Sequence, residues 1–453
     1  MEPKAEIKTN EKKAWVVSAM MGLGHMRAAY PLKDLAKEEI LIEGSQTFCE
    51  PKEYKVWRKL RHLYYFFSKA EELILIGKFF QLFYQLLQQI PPYYPARDLS
   101  KPNFSSKYLG KLIAKSGLSR TLLNKIKNDT VPLLSTFYSS SIAVDMLETK
   151  HRDNYLVICD SDCNRVWVAK DPKKSKIKYI APCTRIRKRL LQYGVPEERI
   201  FLTGFPLPKE NVGSHENLEI LKEDLYSRLV RLDPLLRFFS VHKNTVKAYL
   251  GKEIPKERTD KYFSVTFAVG GSGVQTNMAL EILKSVKEKI KEGKLKVNLS
   301  AGISAEVYVK FKSFINYLEL SKYIDNGINI IYDNDIYRYF DKFNKILRTT
   351  DVLWSKPSEL TFYCALGIPI LMAPSVGPHE DINSKWLQDI HAGVKPAGKL
   401  KYADEWLFDL REGGIFAEAA WDGFIKGRKL GTYKIEELIK TGKFLPGEAP
   451  LGR

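Results

Sequence analysis

The 453-residue chain has only five cysteines, Cys49, Cys159, Cys163, Cys183 and Cys364, and they are scattered and odd in number. The nearest pair has neither a histidine nor a second pair at zinc-ligand spacing, so a disulfide scaffold and a structural zinc module are both excluded. Such a set reads as reduced thiols in a cytoplasmic protein. No stretch approaches the roughly 18 uncharged apolar residues that a spanning helix needs. The apolar run after the polar start Met1–Lys13 is too short, and too soon ended by glycines, for a signal segment. Internal repeats, low-complexity tracts, nucleic-acid modules and long basic tails are also missing. The expectation is a cytoplasmic protein, at most peripheral on the inner face of a membrane.

What is present is bulk and positive charge. With 44% hydrophobic residues the chain can bury two sizeable cores and exceeds one typical domain. A formal net charge of +19 gathers polyanions: nucleic acid, an anionic lipid surface or phosphorylated small substrates. Charge alone does not choose among them, because lysine and arginine are spread along the whole length.

Apolar strand candidates fall at Ala14–Met20, Val131–Ser135, Tyr155–Cys159, Ile177–Ile180 and Ile200–Leu202, with helical stretches between several of them. The second half repeats the style at Ser264–Val269, Lys296–Ser300, Ile328–Tyr332, Val352–Trp354 and Ile368–Ala373, separated by segments such as Met278–Lys291. This alternation predicts an α/β protein of two doubly wound, Rossmann-like domains. The break belongs at Gly204-Phe205-Pro206-Leu207-Pro208, and the charged helical stretch Glu216–Lys252 reads as an insertion before the second sheet.

Gly22-Leu23-Gly24-His25, between the first strand and a helix-forming stretch, reads as a tight βα turn. There the glycines Gly22 and Gly24 allow close backbone approach and His25 stands at the carboxyl edge of the sheet. Its counterpart in the second domain, Gly270-Gly271-Ser272-Gly273, is another turn able to cradle phosphate. Further on, Lys356-Pro357-Ser358-Glu359 places a cation for phosphate and a candidate N-cap at Ser358. Glu359, Glu380 and Asp381 are acceptors suited to sugar hydroxyls. Residues Tyr54–Ile90 interleave aromatic and basic side chains, which suits either amphipathic helices packed on the sheet or a surface lying on anionic lipid.

These turns resemble those of a group of GT-B glycosyltransferases that includes plant monogalactosyldiacylglycerol synthase, processive diacylglycerol glucosyltransferases and the peptidoglycan lipid-intermediate N-acetylglucosaminyltransferase. The match begins at the glycine-histidine turn. It continues through Tyr155–Asp160, Trp167, Tyr179–Thr184, Arg189-Leu190, Gly194 and Ile200–Pro206, and it spans nearly the whole chain. Asn164-Arg165 stands where the group has His-Pro, and Phe362 where it has a ribose-binding glutamate. The donor-sugar motif is met only loosely by His379-Glu380-Asp381-Ile382-Asn383.

The resemblance implies an inverting, metal-independent transferase, without a cofactor. It would move sugar from a nucleotide sugar, a UDP-sugar, to a lipid or amphipathic acceptor, with no nucleic-acid partner. Residues 1–205 would form the acceptor side with an aromatic-basic insertion at 54–95, and residues 206–405 the donor side. Residues 406–453 would pack back on the first domain. Asp160 is the expected base, His25 the second choice and Asp162 a spare; Asp160-Ser161-Asp162 spells a metal motif by accident. Gly270–Gly273, Lys356, Pro357, Ser358, Glu359, Glu380, Asp381 and Asn383 would hold the donor. A nucleotide-sugar 2-epimerase and a non-catalytic nucleotide-sugar-binding protein are the alternatives.

Overall fold

The structure, a computed structural model, describes residues 12–70, 90–148, 150–253, 255, 262–268, 275–375, 377–444 and 447. Among these, twelve strands form two six-stranded sheets, each parallel throughout. The first contains β1 (Trp15–Ala19), β2 (Leu41–Glu43), β3 (Leu133–Ser135), β4 (Asn154–Val157), β5 (Ile177–Ala181) and β6 (Ile200–Leu202), in the order β2-β1-β3-β4-β5-β6. The second contains β7 (Phe263–Ala268), β8 (Leu295–Gly302), β9 (Ile328–Tyr332), β10 (Val352–Ser355), β11 (Ile370–Met372) and β12 (Gly393–Val394), in the order β12-β11-β10-β7-β8-β9.

Strands β1, β3, β4, β7 and β10 are buried at every residue, as parallel strands covered by helices on both faces must be. Their continuous apolar runs are what made them visible in the sequence. The edge strands β2 and β12, three and two residues long, are too short to show a period and were not anticipated. Chain order reverses between β1 and β3 in one sheet and between β7 and β10 in the other, which are the positions where open α/β sheets leave a crevice.

The stretch expected as an insertion is two helices, Glu219–Leu232 and Arg237–Leu250, integral to the second domain. Arg228, fully buried, donates to the carbonyls of Leu347, Thr350, Leu366 and Gly367, so it pins two loops that flank β10. Of the helices after residue 402 among the described residues, Ala403–Glu412 and Ile415–Lys426 stay on the second domain, through Phe263–Phe408 and Phe238–Trp421 ring contacts. Only Gly431–Thr441 returns to the first, where Ile435, Leu438 and Ile439 pack with Ala14, Val16 and Leu32. Among the described residues no helix is long and apolar enough to cross a membrane.

Candidate active site

The turn after β1 is built as its glycines require. Gly22 has φ of +98°, and a Cβ on Gly24 would lie 2.8 Å from Glu359 Oε2 of the second domain. The close approach at Gly24 is therefore met by a side chain from across the crevice. His25 follows in the short helix Leu23–Ala29, and its Nδ1 lies 2.7 Å from the carbonyl of Thr136, just after β3. A carbonyl only accepts, so in the neutral ring Nδ1 carries the proton and Nε2 keeps a lone pair. Burial pushes the imidazole below its ordinary range, against the opposing pull of the Asp160 carboxylate.

Asp160, beyond the end of β4, accepts from Asn383 Nδ2 at 2.8 Å. Burial raises its carboxyl above the usual range, while His379, the Asn383 hydrogen bond and His25 pull it down. His25, Asp160 and His379 all line one cavity of about 320 Å³, whose remaining wall is largely apolar and aromatic. Trp57 and Leu60 come from the helix Pro51–Ala70, Leu109 and Leu112 from Phe104–Ser116, and Tyr138 stacks on Trp167 with centroids 5.9 Å apart.

That wall is set by local sequence. Glu53, Trp57 and Leu60 share one helical face. Buried Glu53 accepts from Trp57 Nε1 (3.2 Å), from the Ser119 and Thr121 amides (2.9 and 2.8 Å) and from the Thr121 hydroxyl (2.6 Å). On the same helix Lys55, Arg58, Lys59 and Leu63 are exposed, so the described part of the aromatic-basic segment divides into a packed face and a charged one. Residues 71–89 of that segment lie outside the described residues.

On the second domain Lys356, Pro357, Glu359, Glu380 and Asn383, among the expected donor residues, are engaged with protein partners. Gly270, Gly271, Ser272 and Gly273 lie outside the described residues. Lys356 Nζ is 2.5 Å from Glu380 Oε1, and Glu380 is buried, so the cation neutralises a carboxylate rather than standing alone. Ser358 occupies the N-cap position of the 3-10 helix Glu359–Leu366 but makes no side-chain cap bond. Glu359 pairs with Arg27 at 3.1 Å, Asp381 is exposed on the helix Pro378–Asp389, and the Pro357 carbonyl accepts from Asn383 at 3.3 Å. Asn383 itself is wholly buried and binds the first domain, which removes it from the open donor surface.

Asp162 cannot be a spare base as expected. It is fully buried between Arg189 (2.7 and 3.0 Å) and Arg185 (3.1 Å), and it is not among the residues lining the cavity. Phe362 stacks on Phe205 at 5.1 Å inside the core and offers ribose no acceptor. Asn164 caps the turn Arg165–Trp167 by accepting from the Val166 amide and also lines the cavity, whereas buried Arg165 is spent on backbone carbonyls. His379 and Arg27 were not among the expected site residues. Each stood one or two positions from an expected residue, but only the tertiary structure turns them to the crevice. Among the described residues no group of three or more His, Cys, Asp or Glu side chains is placed to hold a metal ion, and all five cysteines are buried and unpaired.

The model of a domain of unknown function (DUF6938) matches residues 306–434. No curated protein matches the chain in sequence. Among solved structures the chain is similar to S. aureus MnaA in a co-structure with UDP, at 12% identity and a TM-score of 0.49, covering 98% of this chain and 100% of that one. It is also similar to Acinetobacter baumannii MurG, at 12% identity and a TM-score of 0.48, covering 94% and 99% of the two chains. A third likeness is to UDP-GlcNAc 2-epimerase from Neisseria meningitidis bound to UDP-GlcNAc, at 14% identity and a TM-score of 0.44, covering 94% and 98%. The fold itself stands on the sheets: an α/β protein of two Rossmann-like, doubly wound units facing across a crevice, the GT-B arrangement.

Proposed function

We propose that the chain is an inverting, metal-independent glycosyltransferase that moves a sugar from a nucleotide sugar, a UDP-sugar by the resemblance of its turns, to a hydroxyl of a lipid or other amphipathic acceptor. The observation that supports this most is one cavity in which an apolar interior meets titratable groups from both domains, His25 and Asp160 from the first and His379 from the second. An amphipathic acceptor fits such a shape, with its apolar part among Trp57, Leu109 and Leu112 and its hydroxyl beside Asp160. A 2-epimerase takes no second substrate and would have no use for the apolar part.

Asp160 is the proton acceptor in this reading. Burial makes a carboxylate a stronger base and an imidazole a weaker one, so the same environment favours Asp160 over His25. The acceptor oxygen attacks the anomeric carbon as its proton passes to Asp160, and the nucleoside diphosphate departs from the opposite face, which inverts the centre. Gly270–Gly273 and Lys356 are proposed for the departing diphosphate, whose developing charge they would stabilise. The exposed Leu63, Lys55, Arg58 and Lys59 on one helix, and the exposed Phe104 and Tyr108 on another, suit peripheral attachment to an anionic membrane from which the acceptor is drawn.

A thermal-shift screen of nucleotides and nucleotide sugars, followed by product analysis with extracted lipids, tests the reading. UDP or a UDP-sugar is expected to raise the melting temperature, and Leu112→Trp to lower transfer at least tenfold while keeping that shift. Stronger protection by adenine nucleotides, or an epimerised sugar formed without acceptor, would overturn it.

A further inference from the structure

Asn383 belongs to the second domain, on the helix Pro378–Asp389, yet most of its bonds are to the first. Its Nδ2 donates to Asp160 Oδ1 at 2.8 Å and to the Pro357 carbonyl at 3.3 Å. Its Oδ1 accepts from the Ser161 amide at 2.8 Å and the Ser161 hydroxyl at 2.7 Å. Two amide hydrogens and two lone pairs are thus all used. This also assigns the amide: exchanging its N and O would set NH₂ against the Ser161 N–H and a carbonyl oxygen against the Asp160 carboxylate. A side chain that is wholly buried and fully satisfied in this way has one orientation.

The elements around it connect the two halves of the crevice. Pro357 lies in the loop after β10, next to Lys356, and Glu380 on the same helix as Asn383 pairs with that lysine at 2.5 Å. The strand ends proposed for the donor therefore carry the amide that holds the proposed base. Asp160 has no hydrogen-bond partner other than Asn383 among the described residues, and the remaining groups that bear on its charge are His379, His25 and Glu359.

We propose that Asn383 is the positioning residue through which the second domain orients the Asp160 carboxylate, so that the base is assembled only when the domains are closed on each other. This rests on the reading of Asp160 as proton acceptor. With Oδ1 held by the amide, Oδ2 is the oxygen left for the acceptor proton. Domain closure around a nucleotide sugar and readiness of the base then become one event, and an open enzyme with acceptor bound would leave Asp160 unoriented.

Asn383→Asp tests this with little change of volume: it keeps a carbonyl-type acceptor for Ser161 but sets a second carboxylate against Asp160. Asn383→Ala is the companion if that variant does not fold, and Ser161→Ala is the control, since it weakens the same domain contact without touching Asp160. The expected result for both Asn383 variants is a fall in kcat of at least 30-fold with KM for the nucleotide sugar changed less than threefold. In Asn383→Asp the acid limb of the pH–kcat profile also moves upward, while Ser161→Ala leaves that limb in place. Equal effects from Ser161→Ala, or an unmoved limb with near wild-type kcat in the Asn383 variants, would overturn the proposal and leave Asn383 as interdomain packing. Should the wild-type chain transfer no sugar, the functional reading fails separately. The proposal is then decided by the Asp160 carboxyl titration followed by carbon-13 NMR, where identical curves for wild type and Asn383→Ala would overturn it.

Discussion

Arg27 Nε stands 3.1 Å from Glu359 Oε1, an ion pair that ties the helix after β1 to the segment after β10 and so joins the two sheets. The guanidinium is almost wholly buried. It lies over the rings of Phe343 and Phe340 at 4.4 and 5.1 Å, and its Nη2 donates to Tyr339 Oη at 3.3 Å. Removing one partner of such a pair leaves the other charge buried without compensation, which typically costs about 3–5 kcal/mol. Glu359→Ala is accordingly expected to lower the unfolding free energy by about that amount in urea titrations. Adding Arg27→Met should recover most of the loss. Strict additivity of the two changes would show that the pair does not join the domains energetically.

Asp160→Asn is expected to reduce turnover by about 10²-fold to 10⁴-fold, the usual scale of a positioned base, while UDP still raises the melting temperature. His25→Asn should leave more activity. Because burial raises Asp160 above the ordinary carboxylate range, activity is present above that raised value and is lost as pH falls through it, and the loss should begin at higher pH than for an exposed aspartate. Near wild-type turnover in Asp160→Asn would transfer the role to His25.

Arg58 and Lys59 are exposed on the helix Pro51–Ala70, whereas Arg61 donates through Nη1 to the Gly44 carbonyl at 3.4 Å and is left unchanged. If this face meets lipid, each cation adds about 1 kcal/mol near an anionic surface. The protein should sediment with vesicles containing phosphatidylglycerol, less so at high salt. Arg58→Glu with Lys59→Glu should weaken that binding roughly 30-fold or more without changing the melting temperature. Wild type that ignores vesicles at low salt would make this an ordinary solvated face.

Glu43, at the end of β2, is fully buried, and desolvation pushes its carboxyl up to about 7 despite the hydroxyl of Ser140 donating to it. Its folded value lies above its unfolded one, so its contribution to stability is greatest at low pH. That contribution falls as pH rises from about 4.5 through about 7 and levels off above. The span corresponds to about 3 kcal/mol. Glu43→Gln should match wild type near pH 4.5 and exceed it by a similar amount near pH 8 in urea unfolding. Parallel stability curves for the two proteins would refute the assignment.

Much of the frame was legible in the residues. Buried parallel strands are continuous apolar runs, and a glycine turn after a strand has a local signature, so the two doubly wound units and the positions of His25, Asp160 and Lys356 at strand ends followed from short windows. The helical stretch at 219–250 reads as an insertion because its apolar residues, among them Leu221, Leu225 and Leu229, give no sign in the sequence of the distant residues they are buried against.

Sequence alone determined which groups arrive at the carboxyl edges of the strands, because strand, turn and helix are set by backbone preference and side-chain period over a few residues. Tertiary structure alone decided what those groups do once there. Asp160 and Asp162 are two positions apart and chemically alike, yet one lines the cavity while the other is locked between Arg185 and Arg189. Glu359 pairs with Arg27 and Lys356 with Glu380, partners that stand far from them in the chain or on another element. Asn383 reached Asp160 across 223 residues of chain. A hydrogen bond or ion pair is made only within about 3–4 Å, and no local pattern records which distant side chain the packing of two domains will bring inside that distance.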